Sequence, residues 1–181
     1  KEQHGNIKSV GYVFYTRMLS ETLRIVAEGG EPIEYSDPVV YFTFDRIFPP
    51  DIKIPDSEKI EIMLKLNIAF TEKQLNFILE EFKDRYGILP EGLLKLSEIV
   101  KFRIYLKKYQ IEEVSESSEG IYIRFSPKSL PDPEKFTALL LSNKYPLEFS
   151  QRAQNEILLK IKTDNLAEKI STIKEIIESI Y

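Results

Sequence analysis

Apolar positions along the chain keep two rhythms, helical before residue 110 and largely alternating after it. Leu75, Ile78, Leu79, Phe82 and Tyr86 recur every three or four residues, which places them on one face of a helix. Thr71 and Gln74 stand at the spacing of a capping box, so the helix starts there. Gly87 sits where a helix needs a left-handed residue to close its last carbonyls, and Pro90 blocks resumption. Upstream, Ile60, Met63, Leu64 and Ile68 predict the inner face of another helix, capped by Asp56. Downstream, Leu93, Leu96, Val100, Arg103 and Leu106 predict a third. A long first helix is read from Tyr12, Tyr15, Met18, Leu19, Thr22, Leu23 and Val26, ending at Gly29-Gly30. Between them, Val39 to Phe48 alternates, with Val40, Phe42 and Phe44 on one side, which predicts a long strand stopped by Pro49-Pro50.

In the last third the alternation predicts strands over Ile111–Ser115, Ile121–Ser126, Leu147–Ser150 and Ile157–Lys162. Asp132-Pro133 reads as an N-cap with proline at the first helical position, and Phe136, Leu139 and Leu140 as that helix's inner face. Asp164 is expected to cap a final helix carrying Leu166, Ile170, Ile173, Ile177 and Ile180. The expected class is α+β: a helical first half with one long strand, then a small, mostly antiparallel sheet covered by helices. Residues 1–30 are read as a long helix connecting this domain to a predecessor, and 31–181 as the domain itself. The chain opens Lys1-Glu2-Gln3 without a methionine and is expected to be a piece of a longer protein.

A length of 181 residues allows a substantial core, and 43% hydrophobic with 30% charged residues describes a globular chain. No apolar run approaches the ~20 residues needed to cross a bilayer, so no membrane partner is expected. Cysteine is absent, which removes thiol chemistry and suits a reducing cytoplasm. A net charge of −4 argues against wholesale neutralisation of phosphates.

The catalytic inventory is nearly empty. His4 is the only histidine, and without cysteine the usual zinc sets and the Ser-His and Cys-His arrangements are missing. No glycine-rich phosphate loop is present. Asp45, Asp51 and Asp56 lie at spacings compatible with a hard cation, but each also reads as a strand end, turn or cap. Lys95, Lys101, Arg103, Lys107 and Lys108 make the helix over 95–108 basic, either as a solvated face or as a nucleic-acid stripe. Glu81, Asp84 and Arg85 point away from the apolar face near a helix end. An acid there opposes the macrodipole by about 0.3–1 kcal/mol, so Asp84 is not placed for the helix's own benefit. Arg and carboxylate together offer directional contacts for a protein surface, or else a local ion pair.

Several runs together resemble the bacterial transcription-repair coupling factor family. These are Gln3-x-Gly5-x-Ile7-x-x-Val10-Gly11-x-x-x-Tyr15-x-x-Met18-Leu19, then Ile52-x-Ile54-Pro55-Asp56, then Asp84-Arg85-Tyr86-Gly87-x-Leu89-Pro90. They follow the family's order and approximate spacing; Asn6 and Tyr86 depart from its commoner residues. The resemblance implies the carboxy-terminal domain of an ATP-dependent double-stranded DNA translocase acting in transcription-coupled nucleotide excision repair. Such a protein engages stalled RNA polymerase and recruits UvrA. The implied role is regulatory and non-catalytic: the domain packs on the UvrB-like amino-terminal module, masks UvrA binding and restrains the motor. ATP and magnesium would belong to the motor, with no cofactor in this chain. Gln3 would end the motif coupling hydrolysis to DNA movement, and Glu81, Asp84 and Arg85 would clamp the UvrB-like module.

Overall fold

The computed structural model describes residues 37–44 and 46–181; the helix expected over the first 30 residues, Gln3, His4 and Asp45 lie outside the described residues. The chain divides into two compact units, one containing residues 50–89 and the other residues 37–49 and 90–181.

In the first unit, helices α1 (Asp56–Asn67) and α2 (Glu72–Tyr86) form a pair. The N-cap position of α1 is Pro55, which offers no side-chain hydrogen bond. The expected Asp56 cap is therefore corrected: Asp56 is the first helical residue and pairs with Lys59 at 2.9 Å. The buried face also differs. Ile62, Leu66 and Ala69 are buried while Ile60 and Ile68 are exposed. Apolar residues occupy 60, 62, 63, 64, 66, 68 and 69, nearly all round the helix, so its packing partner and not periodicity selects the face.

Helix α2 is specified locally at both ends. The Gln74 N–H donates to Thr71 Oγ1 at 3.2 Å, and the Gln74 side chain accepts from the Thr71 N–H at 3.2 Å and the Phe70 N–H at 2.9 Å. Gly87 takes φ of +74° and donates to the Lys83 carbonyl at 2.7 Å. Leu75, Leu79 and Phe82 are buried, and the Tyr86 ring lies 4.7 Å from that of Phe82.

The second unit is a five-stranded sheet in the order β1-β2-β3-β5-β4, from β1 (Val39–Tyr41), β2 (Ile111–Glu116), β3 (Ile121–Phe125), β4 (Leu147–Phe149) and β5 (Glu156–Leu159). Among the described strands only β1 pairs parallel, with Val40 opposite Val114. Helices α3 (Glu91–Lys107), α4 (Pro133–Leu141) and α5 (Leu166–Ile180) contribute Phe102, Leu106, Leu139, Ile170, Ile173 and Ile177 to a core against Val114, Ile121, Ile123, Phe125, Ile157 and Leu159. The architecture is α+β, with helices covering a small, mostly antiparallel sheet.

The strand expected over 39–48 pairs only over Val39–Tyr41. Beyond it, the Thr43 N–H donates to the Glu116 carboxylate at 2.7 Å, so a side chain replaces the ladder where β2 ends. The second Glu116 oxygen accepts from buried Lys169 of α5 at 2.6 Å. Phe42 is nonetheless buried, and Val40 and Phe44 pack on the core as the alternation predicts. Asp132 caps α4, accepting from the Glu134 and Lys135 N–H groups. The cap of α5 is Asn165, one residue beyond the expected Asp164.

Gly92 lies against a neighbouring backbone: a Cβ there would fall 2.6 Å from the Ile47 carbonyl oxygen and nearer still to that of Arg46.

Candidate functional site

The end of α2 carries a group of charged side chains that meets others from α1. Position along the helix decides their roles. Glu81 and Arg85, four apart, lean toward α1, while Asp84 stands on the helix face opposite the apolar stripe.

Arg85 Nη1 donates to Glu58 of α1 at 3.1 Å, and Nη2 to Glu81 at 3.2 Å. Lys65 of α1 reaches Glu81 at 3.2 Å and Glu61 at 2.9 Å. Five side chains thus form one continuous strip over the α1–α2 seam, beside a shallow groove floored by Ile62, Ile78 and Phe82. The hydrogen bond from Lys65 holds the Glu61 carboxyl below the usual range, and the same bond raises the Lys65 ammonium. Glu58, through its hydrogen bond, raises the Arg85 guanidinium further. Half-exposed pairs of this kind add little stability individually. Their effect is to fix Arg85 in one orientation, with half of its side chain still facing solvent.

Asp84 is exposed and makes no hydrogen bond or ion pair among the described residues. Of the three residues singled out in the sequence, two are therefore committed to α1 and one is wholly outward. Glu58 and Lys65, the α1 partners of Arg85 and Glu81, are 27 and 16 positions away from them in sequence. No local spacing rule connects them, so the sequence reading missed them.

The basic helix is not an open cationic stripe. Lys95 pairs with Glu91 at 2.9 Å, Lys101 with Glu98 at 2.7 Å and Lys107 with Asp37 at 2.5 Å. Arg103 is buried, and burial pushes its guanidinium down to about 10. Lys108 stays exposed. Three of these cations are paired in place and Arg103 is taken inside, which leaves Lys108 alone to support a nucleic-acid reading of residues 95–108.

A second charged cluster, unforeseen from sequence, lies on the sheet face away from the core. Arg124 bonds Glu156 at 2.9 Å and Glu113 at 2.9 Å, and Ser150 Oγ donates to Glu156 at 2.6 Å. Arg152 lies 3.6 Å from Glu156 and 4.1 Å over the Tyr122 ring. Glu156 is fully buried, and its partners satisfy it, which is the pattern of a structural network.

Among the described residues no group of three or more His, Asp or Glu side chains is placed to hold a metal ion. Asp51 is exposed, and Asp56 is taken by Lys59. No described helix is long and apolar enough to cross a membrane.

The TRCF-domain family model matches residues 43–136. The chain is 24% identical over 143 residues to the transcription-repair-coupling factor of Haemophilus influenzae, covering 77% of this chain and 12% of that protein. It is 32% identical over 135 residues to that of Staphylococcus epidermidis, covering 73% and 11%. The Rickettsia prowazekii protein is 28% identical over 190 residues, covering 98% of this chain and 15% of its own length. The chain thus spans between 11% and 15% of these curated relatives. Among solved structures it is similar to the crystal structure of a C-terminal domain of transcription-repair coupling factor, with a TM-score of 0.57 and 19% identity, covering 77% of this chain and 95% of that one.

Proposed function

The chain belongs to the TRCF-domain family, and from that premise we propose that it is a regulatory, non-catalytic interaction domain of a transcription-repair coupling factor. On this reading it packs against the UvrB-like amino-terminal module of the same protein, covers the surface that binds UvrA, and restrains the ATP-driven motor until RNA polymerase is engaged. The parent protein would act on double-stranded DNA in nucleotide excision repair, in the cytoplasm. Gln3, outside the described residues, would belong to the coupling motif of the motor.

One observation carries the proposal: on the Asp84-to-Pro90 run that resembles the family's own, Asp84 is exposed with no partner among the described residues. Beside it, Arg85 is already oriented by Glu58 and Glu81. A guanidinium held in place loses less freedom on docking than a mobile one, and Arg85 retains donors that its two internal bonds do not use. A modest polar contact of this kind opens more readily than a large apolar one, as a releasable clamp requires. Tethering in one protein supplies the effective concentration that such a contact needs.

The test is Asp84→Lys in the full-length protein, with UvrA affinity and ATPase rate as readouts. Tighter UvrA binding and faster hydrolysis are expected, with the domain still folded. Unchanged UvrA affinity would count against the clamp.

A further inference from the structure

Helix α2 has a second outward feature. Phe77 is 67% exposed in mid-helix, on the side opposite Leu75, Leu79 and Phe82. Lys73, Glu80 and Asp84 stand four before, three after and seven after it, so all four share one stripe. From Phe77 to Asp84 the stripe runs ~10 Å along the axis.

A single exposed apolar residue is ordinary on a protein surface. This one is accompanied by a second residue that gains nothing from its own fold. Asp84 faces the negative end of the helix, and Glu80 lies four residues before it with the same charge. Neither carboxylate has an ion pair among the described residues, although Lys65 and Arg85 are engaged elsewhere on the same two helices. An aromatic side chain in water, followed by two unneutralised acids, calls for a complement with an apolar pocket and cationic groups along one rim.

We propose that Phe77 is the anchor of the docking surface on α2, inserting into an apolar pocket of the partner whose rim presents Arg or Lys to Glu80 and Asp84. The inference rests on the clamp reading above and extends it: the polar residues set orientation, while the aromatic supplies most of the hold. Aromatic side chains seated in desolvated pockets dominate protein interfaces, and charged rims mainly tune specificity and association rate.

The experiment compares Phe77→Ala, Phe77→Leu and Asp84→Lys in the full-length protein, reading UvrA affinity at low and high salt. Phe77→Ala is expected to release the masked surface and tighten UvrA binding about tenfold or more at both salt concentrations. Phe77→Leu keeps an apolar side chain and should show a smaller effect. The Asp84→Lys effect should shrink at high salt, since exposed charges are screened there. If Asp84→Lys unmasks UvrA binding and Phe77→Ala does not, the anchor is overturned while the clamp stands. If neither variant changes UvrA binding, the clamp reading fails and the anchor with it. Thermal unfolding within a degree or so of the parent, expected for a change at an exposed position, shows that the Phe77 variants are folded.

Discussion

Asp84 should stabilise the isolated chain when its charge is removed. It sits in the last turn of α2, among carbonyls that Gly87 only partly closes. The macrodipole penalty for an exposed acid there is about 0.3–1 kcal/mol, and like-charge repulsion from Glu80 at i−4 adds a few tenths, ~0.2–0.5 kcal/mol. Asparagine has nearly the helix propensity of aspartate, so Asp84→Asn isolates the charge. For a chain of 181 residues the unfolding entropy is on the order of 0.4 kcal/mol/K, which converts the gain to a rise in Tm of about 1–4 °C. The measurement is thermal unfolding of the purified chain by far-UV circular dichroism. At 1 M salt the Debye length falls to about 3 Å and the rise should largely vanish. A lower Tm for Asp84→Asn at low salt would refute the reasoning, because it would mean that Asp84 has a stabilising partner within the chain. On the proposed clamp reading, Asp84 exchanges stability of its own helix for function.

Glu156→Ala should cost about 2–3 kcal/mol, below the usual 3–5 kcal/mol for breaking a buried pair, because Arg124 and Arg152 are partly exposed and keep Glu113; a lower urea midpoint at unchanged m-value checks this. Gly92→Ala should destabilise despite a propensity gain of ~1 kcal/mol, since the methyl meets backbone at residues 46 and 47 that cannot rotate away. The Lys65, Lys95 and Tyr145 side chains, through hydrogen bonds, lower the Glu61, Glu91 and Glu175 carboxyls respectively below 4.5. Their contribution is present above that value and lost as pH falls through the depressed pKa values. Lys65, raised above 10.5, loses its contribution only as pH climbs through that raised value, so a chemical-denaturation series should show a plateau between these limits.

Features set by neighbouring residues were legible in the sequence. The Thr71–Gln74 box, the Gly87 stop and the Asp132-Pro133 start each rest on contacts within four residues, and all three occur. Faces chosen by a distant partner were not: α1 buries Ile62 and Leu66 because α2 meets it there, while its apolar residues wrap almost the whole circumference. Caps one residue off, at Pro55 and Asn165, reflect two adjacent candidates whose choice depends on backbone entry angle. In the candidate site, Asp84 was readable as an acid at an adverse position. The commitment of Glu81 and Arg85 was not, because Glu58 and Lys65 reach them from another helix. The same blindness hid one neutralising partner of the helix over 95–108: Asp37, which pairs with Lys107, is 70 positions upstream, whereas Glu91 and Glu98 lie within four residues of the lysines they pair with.

The parallel pairing of β1 has a bearing on the order of assembly. Val40 meets Val114 across 74 residues, so this three-residue ladder must close a loop whose entropy costs roughly 4 kcal/mol before any constant term. The antiparallel β2–β3 turn closes within a few residues and needs no such search. Strand β1 should therefore dock late, onto a sheet already formed, and be the first to exchange its amide hydrogens. Once docked, the Thr43–Glu116–Lys169 bridge makes α5 a brace for the first of the described strands.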